Sequence, residues 1–227
     1  AGIISLIAAA MSMFLMFESK STNPKQFSEL VFLTLNSALG MIILSAATDL
    51  LVIFIGLELM SLSLYLMIAM SQEEKLSKEA AFKYFILGSF ASAIFLYGTA
   101  FIFGTAKTTN ILSLVEQSTT LLETQRLYLF GVVLIILGYC FKVSLAPFHA
   151  WTPDVYQGAP TPISAYMATA IKCVSFASFL RIVLAKSVFS SEELFNILQV
   201  IAVITMLVGN VAAVIQGNLK RMLAYSS

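Results

Sequence analysis

The sequence has 227 residues, of which 59% are hydrophobic and only 11% are charged. Soluble domains are roughly 45–50% apolar and about 25% charged, so this composition indicates an integral membrane protein. The 13 basic and 12 acidic residues nearly cancel. This balance argues against nucleic acid as a partner, because no strongly basic surface is available.

Seven apolar runs follow one another along the chain, and a helix that spans a bilayer needs about 20 such residues. The first run, residues 3–17, is short. The six full-length runs are residues 30–47, 50–70, 80–106, 127–149, 162–185 and 194–215. We expect α-helices throughout, because no run alternates like a barrel strand. Only Thr48 and Asp49 separate the runs 30–47 and 50–70, which predicts that these two helices are antiparallel neighbours.

The sequence also predicts one long connection between spans and a further span near its end. Residues 107–126 are predicted to form a loop, and the residues after Gly217 are predicted to open a further span. The chain begins at Ala1 rather than at a methionine and stops soon after Lys220 and Arg221. We therefore expect a fragment of a longer chain, with about seven to eight spans.

Glu58 lies near the middle of the run 50–70, where an ionisable group is expensive and is often functional. Ser61 and Tyr65 follow at i+3 and i+7, so all three polar side chains share one helical face. Burial disfavours the charged form of this carboxylate and a nearby lysine favours it, and this balance suits a group that exchanges protons. The alternative is a static buried ion pair, or a protonated Glu58 that is hydrogen-bonded to a neighbouring helix.

Lys142 lies about four residues past the midpoint of its run, or about 6 Å from the centre, which is too deep for easy access to the interface. Pro147 follows five residues later, removes a backbone donor and clashes with the preceding turn. The helix is therefore predicted to break just after Lys142. Broken helices at membrane depth mostly line cavities, so we expect a hydrated pocket near this lysine.

Further ionisable residues lie within or near the spans. Lys172 is close to the centre of the run 162–185 and is the hardest to explain structurally. Lys83 lies near the start of its run and either extends to the interface or has a function. Arg181 and Trp151 are predicted to be interfacial anchors.

His149 is the only histidine, so a His-rich metal site on this chain is not expected. It follows Pro147 and either relays protons or caps a turn. Cys140 and Cys173 both lie within apolar runs and form neither a disulfide framework nor a metal site. We expect no cofactor to be bound by this chain.

Several motifs resemble one known family. They are GLELMSL (residues 56–62), EAAFKYFILG (79–88), FKVSLAPFHAWTPDVY (141–156), GAPTP (158–162) and LKRMLAYSS (219–227). Together they are similar to the antiporter-like membrane subunits of respiratory complex I, and the similarity extends over nearly the whole chain. The sequence around Glu58 and the lysine at 172 most resemble the subunit N branch, known in mitochondria as NADH dehydrogenase subunit 2.

The resemblance implies a fold and an organisation. The fold is an all-α polytopic membrane protein with antiporter-like inverted repeats of five helices, including a proline-broken helix. Residues 1–29 would hold a partial preceding helix and a loop, residues 30–189 the first repeat, and residues 190–227 the start of a second, incomplete repeat.

The resemblance also implies roles for individual residues. Glu58 would pair with Lys142 on the broken helix, and Lys172 would be the next proton carrier. Lys83 and His149 would be possible relay groups.

The implied function is proton translocation within NADH:quinone oxidoreductase, in the bacterial plasma membrane or the mitochondrial inner membrane. NADH, FMN, iron-sulfur clusters and quinone would be bound by other membrane and peripheral subunits. The alternatives are a subunit of a multi-subunit sodium/proton antiporter and a purely structural assembly subunit whose charges form static pairs.

Overall fold

The computed structural model describes residues 2–19, 24–70, 74–184 and 192–227. Within these ranges the regular structure is helical, apart from a single bridge between Asp49 and Asn110. The helices are α1 (Gly2–Glu18), α2 (Phe27–Ala46), α3 (Leu50–Ala69), α4 (Glu74–Ala106), α5 (Ile111–Thr124), α6 (Arg126–Lys142), α7 (Trp151–Gly158), α8 (Thr161–Leu184), α9 (Glu192–Val214) and α10 (Leu219–Ser226). The all-α polytopic fold is thus confirmed.

The predicted spans correspond to the structure with one exception. Five of the described helices, α2, α3, α4, α8 and α9, are long and apolar enough to cross a membrane, and α1 is the shorter apolar helix. The run 127–149 is not a single helix, because α6 ends at Lys142 and α7 begins at Trp151. The predicted break after Lys142 is therefore confirmed.

The α2 and α3 helices are antiparallel and approach each other closely at two glycines. A Cβ atom at Gly40 would lie 2.6 Å from the backbone nitrogen of Met60, and one at Gly56 would lie 2.9 Å from that of Leu44. Asp49 begins α3 by accepting a hydrogen bond from the backbone N–H of Leu51 at 2.8 Å. The polar face of α3 lies against the next helix, α4, where Ser92 donates to Glu58.

The predicted loop at residues 107–126 is wrong, because most of it forms α5. The Asn110 side chain caps this helix by accepting hydrogen bonds from the backbone N–H groups of Leu112 and Ser113. The cap satisfies two of the donors that a helix N-terminus leaves unpaired. Leu114 is buried and Leu112 is exposed, so α5 has one face on the protein and one face outward.

The longest of the described helices, α4, packs against α3, α6 and α7. A Cβ atom at Gly98 of α4 would lie 2.8 Å from the carbonyl oxygen of Gly131 of α6, so small residues bring these two helices together. Large apolar side chains such as Phe82 and Phe90 point outward from α4. That arrangement suits a helix with one protein face and one lipid face.

Candidate functional site

Glu58 lies on α3, on the face that meets α4. Ser92 of α4 donates a short hydrogen bond to Glu58 Oε1, and the Glu58 side chain is 23% exposed. One turn further along α3, Ser61 is fully buried and donates its proton to the carbonyl oxygen of Leu57 at 2.6 Å. Its hydroxyl oxygen therefore has a lone pair left for another donor.

Lys142, the last residue of α6, supplies that donor. Its Nζ donates to Ser61 Oγ at 2.8 Å and lies 3.8 Å from Glu58 Oε1. The Lys142 side chain is only 4% exposed, so its ammonium group lies in the protein interior. Three helices thus bring together a carboxylate, two hydroxyls and an ammonium group, of which the shared stripe on α3 had indicated only Glu58 and Ser61.

The segment between α6 and α7 has an irregular backbone. Ser144 has a positive φ of 62°, and the Ala146–Pro147 peptide is cis. A broken helix leaves backbone groups unpaired, and in a membrane these need partners within the protein. Trp151 Nε1 donates to the carbonyl oxygen of Phe141 at 3.1 Å, and the backbone N–H of Ala146 donates to Thr205 Oγ1 of α9 at 3.0 Å.

A cavity of about 470 Å³ adjoins this break. Its lining begins at Val143, one residue beyond Lys142, and includes His149 and Lys172. A pocket was expected near Lys142, but this cavity opens on the side of Lys172 and the break rather than around the Lys142 ammonium group. Among the described residues, His149 Nδ1 is buried without a hydrogen-bond partner. The backbone oxygen of His149 accepts from the N–H of Thr152, so this residue also takes part in the turn.

Lys172 is half-buried on α8 and comes directly after a π-helical turn, Met167–Ile171. Such turns are rare and are frequent at functional sites, and this one was not predicted from the sequence. Lys172 Nζ donates to Ser227 Oγ at 2.9 Å and lies 5.7 Å from the centre of the Tyr156 ring. The lysine therefore rests between an aromatic face and a hydroxyl at the edge of the cavity.

Lys83 belongs to a second group of charged side chains. Lys83 itself was singled out from the sequence, but its grouping with Asp154 was not predicted. Its Nζ lies 2.7 Å from Glu79 on its own helix and 2.9 Å from Asp154 on α7. Asp154 also accepts from Arg221 of α10 at 2.6 Å. This group, named here the Asp154 cluster, links α4, α7 and α10 through residues that are far apart in sequence.

The two residues predicted as interfacial anchors, Arg181 and Trp151, lie in different environments. Arg181 donates to the carbonyl oxygens of Ser45 at 2.7 Å and Ala47 at 2.5 Å, so it caps the end of α2. The prediction for Trp151 is wrong, because this side chain is 4% exposed and stacks on Tyr84 with ring centres 4.6 Å apart. The helix break turns Trp151 inward against α4.

No metal site is found within residues 2–19, 24–70, 74–184 and 192–227, where no group of three or more His, Cys, Asp or Glu side chains could hold an ion. Cys140 is buried, Cys173 is exposed, and both are free thiols. The groups gathered around the Glu58–Lys142 pair and the cavity include carboxylate, ammonium, imidazole, phenol and hydroxyl groups. These groups hold and transfer protons.

The multi-pass helical fold with an interrupted helix is that of antiporter-like membrane proteins. Residues 47–227 match the family described as NADH:quinone oxidoreductase/Mrp antiporter, TM. The chain belongs to this family.

Three similar proteins illustrate the relationship. A protein named NADH-quinone oxidoreductase subunit N from Bdellovibrio bacteriovorus is 68% identical over 226 residues, which are 100% of this chain and 46% of that protein. Respiratory complex I from Thermus thermophilus contains a chain that is 34% identical, with a TM-score of 0.81, over 99% of this chain and 47% of that one. A chain of the Mrp complex from Dietzia shares the fold at 21% identity, with a TM-score of 0.84, over 99% of this chain and 40% of that one. The chain spans about half the length of the curated relatives it matches.

Proposed function

We propose that this chain is part of a proton-translocating membrane subunit of NADH:quinone oxidoreductase. One observation carries the proposal. The Lys142 ammonium group, 4% exposed at the end of an interrupted helix, lies 3.8 Å from the Glu58 carboxylate. Two opposite charges held this closely in the interior form a pair whose strength changes when either charge changes.

The proposed mechanism is electrostatic. At 3.8 Å and an effective dielectric constant of about 20, the two charges attract each other by about 4 kcal/mol. When Glu58 gains a proton or its surroundings change, Lys142 loses this attraction and releases its proton more readily. The proton then moves past the helix break toward Lys172, and His149 and Lys83 are possible relay groups.

The proposal includes the organisation of the chain. Residues 30–189 would form the first five-helix repeat, residues 1–29 a partial preceding helix and loop, and residues 190–227 the start of a second repeat. The packing of α2 on α3, α3 on α4 and α4 on α6 supports the first repeat. The boundary between residues 189 and 190 lies outside the described residues.

The proposal assigns all redox chemistry to partners. NADH, FMN, iron-sulfur clusters and quinone would be bound by other membrane and peripheral subunits, which supply the energy for translocation. The identity of the Bdellovibrio relative supports this assignment, since its name places it in NADH-quinone oxidoreductase.

The test uses the full-length subunit in its assembled complex, reconstituted into vesicles. Lys142→Ala and Lys172→Ala are expected to lower the rate of proton uptake coupled to NADH-dependent quinone reduction, because each removes a proton carrier. Lys75→Ala is the matched control, since Lys75 is exposed at the start of α4. Uptake at the control rate in both variants, with normal assembly, contradicts the proposal.

Two other functions predict different results. A sodium/proton antiporter subunit would work without quinone chemistry, and it is less supported, because the Mrp chain is only 21% identical whereas proteins named subunit N reach 68%. A purely structural subunit would tolerate Lys172→Arg, which keeps the charge. Normal assembly with lost proton uptake in this variant argues against a structural role.

A further inference from the structure

Lys142 forms its hydrogen bond with a serine rather than with the carboxylate of its ion pair. Lys142 Nζ lies 2.8 Å from Ser61 Oγ but 3.8 Å from Glu58 Oε1. The same oxygen of Glu58 accepts a short hydrogen bond from Ser92 of α4. Glu58 therefore acts on Lys142 through its charge, whereas Ser61 holds the ammonium group by direct contact.

Lys172 is held in the same way, by a hydroxyl group on another helix. Its Nζ donates to Ser227 Oγ of α10 at 2.9 Å. Within the described ranges, Lys172 forms no ion pair with a carboxylate, whereas Lys142 does. The contact with a serine is thus the feature that these two lysines share.

Both hydroxyl groups are oriented as acceptors by their own helices. Ser61 Oγ donates to the carbonyl oxygen of Leu57 at 2.6 Å, and Ser227 Oγ donates to that of Ala224 at 3.2 Å. A serine hydroxyl has one proton and two lone pairs, so a hydroxyl whose proton is engaged by its own helix presents lone pairs to its neighbours. Each hydroxyl is therefore set to receive an N–H from a lysine.

A serine and a carboxylate differ in how they respond when the lysine loses its proton. The attraction between Glu58 and Lys142 requires a charge on both groups. A neutral amine keeps two N–H groups, and a serine hydroxyl is uncharged, so the hydrogen bond between them does not depend on the charge of the lysine. The contact with serine can persist in both protonation states, and the ion pair cannot.

We propose that Ser61 and Ser227 are positioning residues, each of which holds its lysine in place before and after that lysine releases a proton. Glu58 then changes the proton affinity of Lys142 without moving its side chain. The proton that leaves a lysine goes to the next carrier, and the serine hydroxyl neither gains nor loses one. A neutral lysine thus stays where it can accept the next proton. This inference rests on the proposed function and assigns the residues that position its carriers.

Three substitutions of Ser61 separate positioning from packing, measured as proton uptake by the assembled complex with the full-length subunit in vesicles. Ser61→Ala removes the acceptor, Ser61→Cys fills a similar space with a weak acceptor, and Ser61→Thr keeps the hydroxyl. We expect uptake to slow roughly threefold or more in the alanine and cysteine variants, as the loss of one hydrogen bond implies, and by less than about 1.5-fold with threonine. A role in packing alone predicts the opposite order, because the added methyl group of threonine crowds a buried site more than sulfur does.

Two serines whose hydroxyl groups bind neither lysine in the described part of the chain serve as matched controls. Ser63 also lies on α3, is 4% exposed and donates to the carbonyl oxygen of Leu59 at 2.9 Å. Ser226 adjoins Ser227 and is exposed. We expect Ser63→Ala and Ser226→Ala to keep uptake within about 1.5-fold of wild type, since each loses at most a local bond to its own helix. Uptake in Ser61→Ala and Ser227→Ala that matches these controls overturns the proposal.

A second measurement follows the position of the lysine. In a cryo-EM map of the intact complex with Glu58→Gln, Lys142 Nζ is expected to remain within hydrogen-bond distance of Ser61 Oγ, because this contact does not need the carboxylate charge. In Ser61→Ala, the ammonium group is expected to leave this position. An ammonium group that leaves Ser61 in Glu58→Gln, or that stays in place in Ser61→Ala, overturns the proposal.

The Lys142→Ala variant separates the two proposals. If it loses proton uptake while the Ser61 variants match Ser63→Ala, the positioning role is wrong and the proposed function stands. If Lys142→Ala also matches the control, the proposed function itself fails, and the positioning role fails with it.

Discussion

The Glu58–Lys142 pair makes a quantitative prediction about how two substitutions combine. Glu58→Gln keeps the size of the side chain and an oxygen that can accept from Ser92, but it removes the negative charge. Lys142→Gln removes the positive charge and keeps a side-chain N–H donor. The two changes therefore delete the same interaction from opposite sides.

The magnitude follows from the separation of 3.8 Å. An attraction of about 4 kcal/mol at an effective dielectric constant of 20 corresponds to about three powers of ten in an equilibrium constant. If neighbouring dipoles and water screen half of this energy, about 2 kcal/mol, or roughly thirtyfold, still remains. We expect each single substitution to slow proton uptake at least tenfold.

The combination is the decisive measurement. Residues that act as one unit show non-additive effects, so the double variant should be no slower than the slower single variant. The assay is proton uptake in vesicles that contain the assembled complex, normalised to the amount of assembled subunit. A double variant whose loss equals the product of the two single losses refutes the pair as a unit. Single variants within twofold of wild type refute its involvement.

Two further predictions concern the packing that supports the site. Asp154→Asn weakens the two ion pairs that Asp154 forms, with Lys83 and Arg221, and because these side chains are 29–42% exposed we expect a loss of only about 1 kcal/mol, seen as a lower melting temperature of the purified complex. Glu79→Gln is the control, since it removes only one i,i+4 pair, and an equal loss in both variants contradicts a special role of Asp154. Gly40→Ala should prevent assembly, because its Cβ would lie 2.6 Å from the backbone of Met60, whereas Gly104→Ala, with open space around it, should assemble normally. Normal amounts of assembled complex with Gly40→Ala would show that α2 and α3 can separate without loss.

The spans and the helix break could be predicted from local sequence, because both depend on local physics. Long apolar runs have few other stable conformations in lipid, and Pro147 cannot continue the hydrogen bonds of the helix that precedes it. The α5 helix was missed because its polar residues suggested a loop. The signal was present, since apolar residues recur at helical spacing from Ile111 to Leu122 and Asn110 stands at the N-cap position.

The contacts within the site depend on tertiary structure, and local patterns reveal only part of them. Glu58, Ser61 and Tyr65 could be placed on one face, but Lys142 is 81 residues from Ser61, and the resemblance to a family was needed to pair it with Glu58. Asp154 lies 71 residues from Lys83 and 67 from Arg221. Trp151 was misplaced because its residue type is common at interfaces, whereas the helix break turns it inward.

The helix break separates a buried ion pair from a cavity, and hydrogen bonds from the protein hold the broken backbone between them. On one side, Lys142 is buried among side chains from α3 and α4, where charges interact strongly. On the other side, the lining of the cavity starts at Val143. Trp151 and Thr205 hold the broken backbone by hydrogen bonds from α7 and α9, so the interruption does not depend on water for these two groups. Under the proposed function, a proton that leaves Lys142 has to pass only this short, fixed segment to reach the surroundings of Lys172.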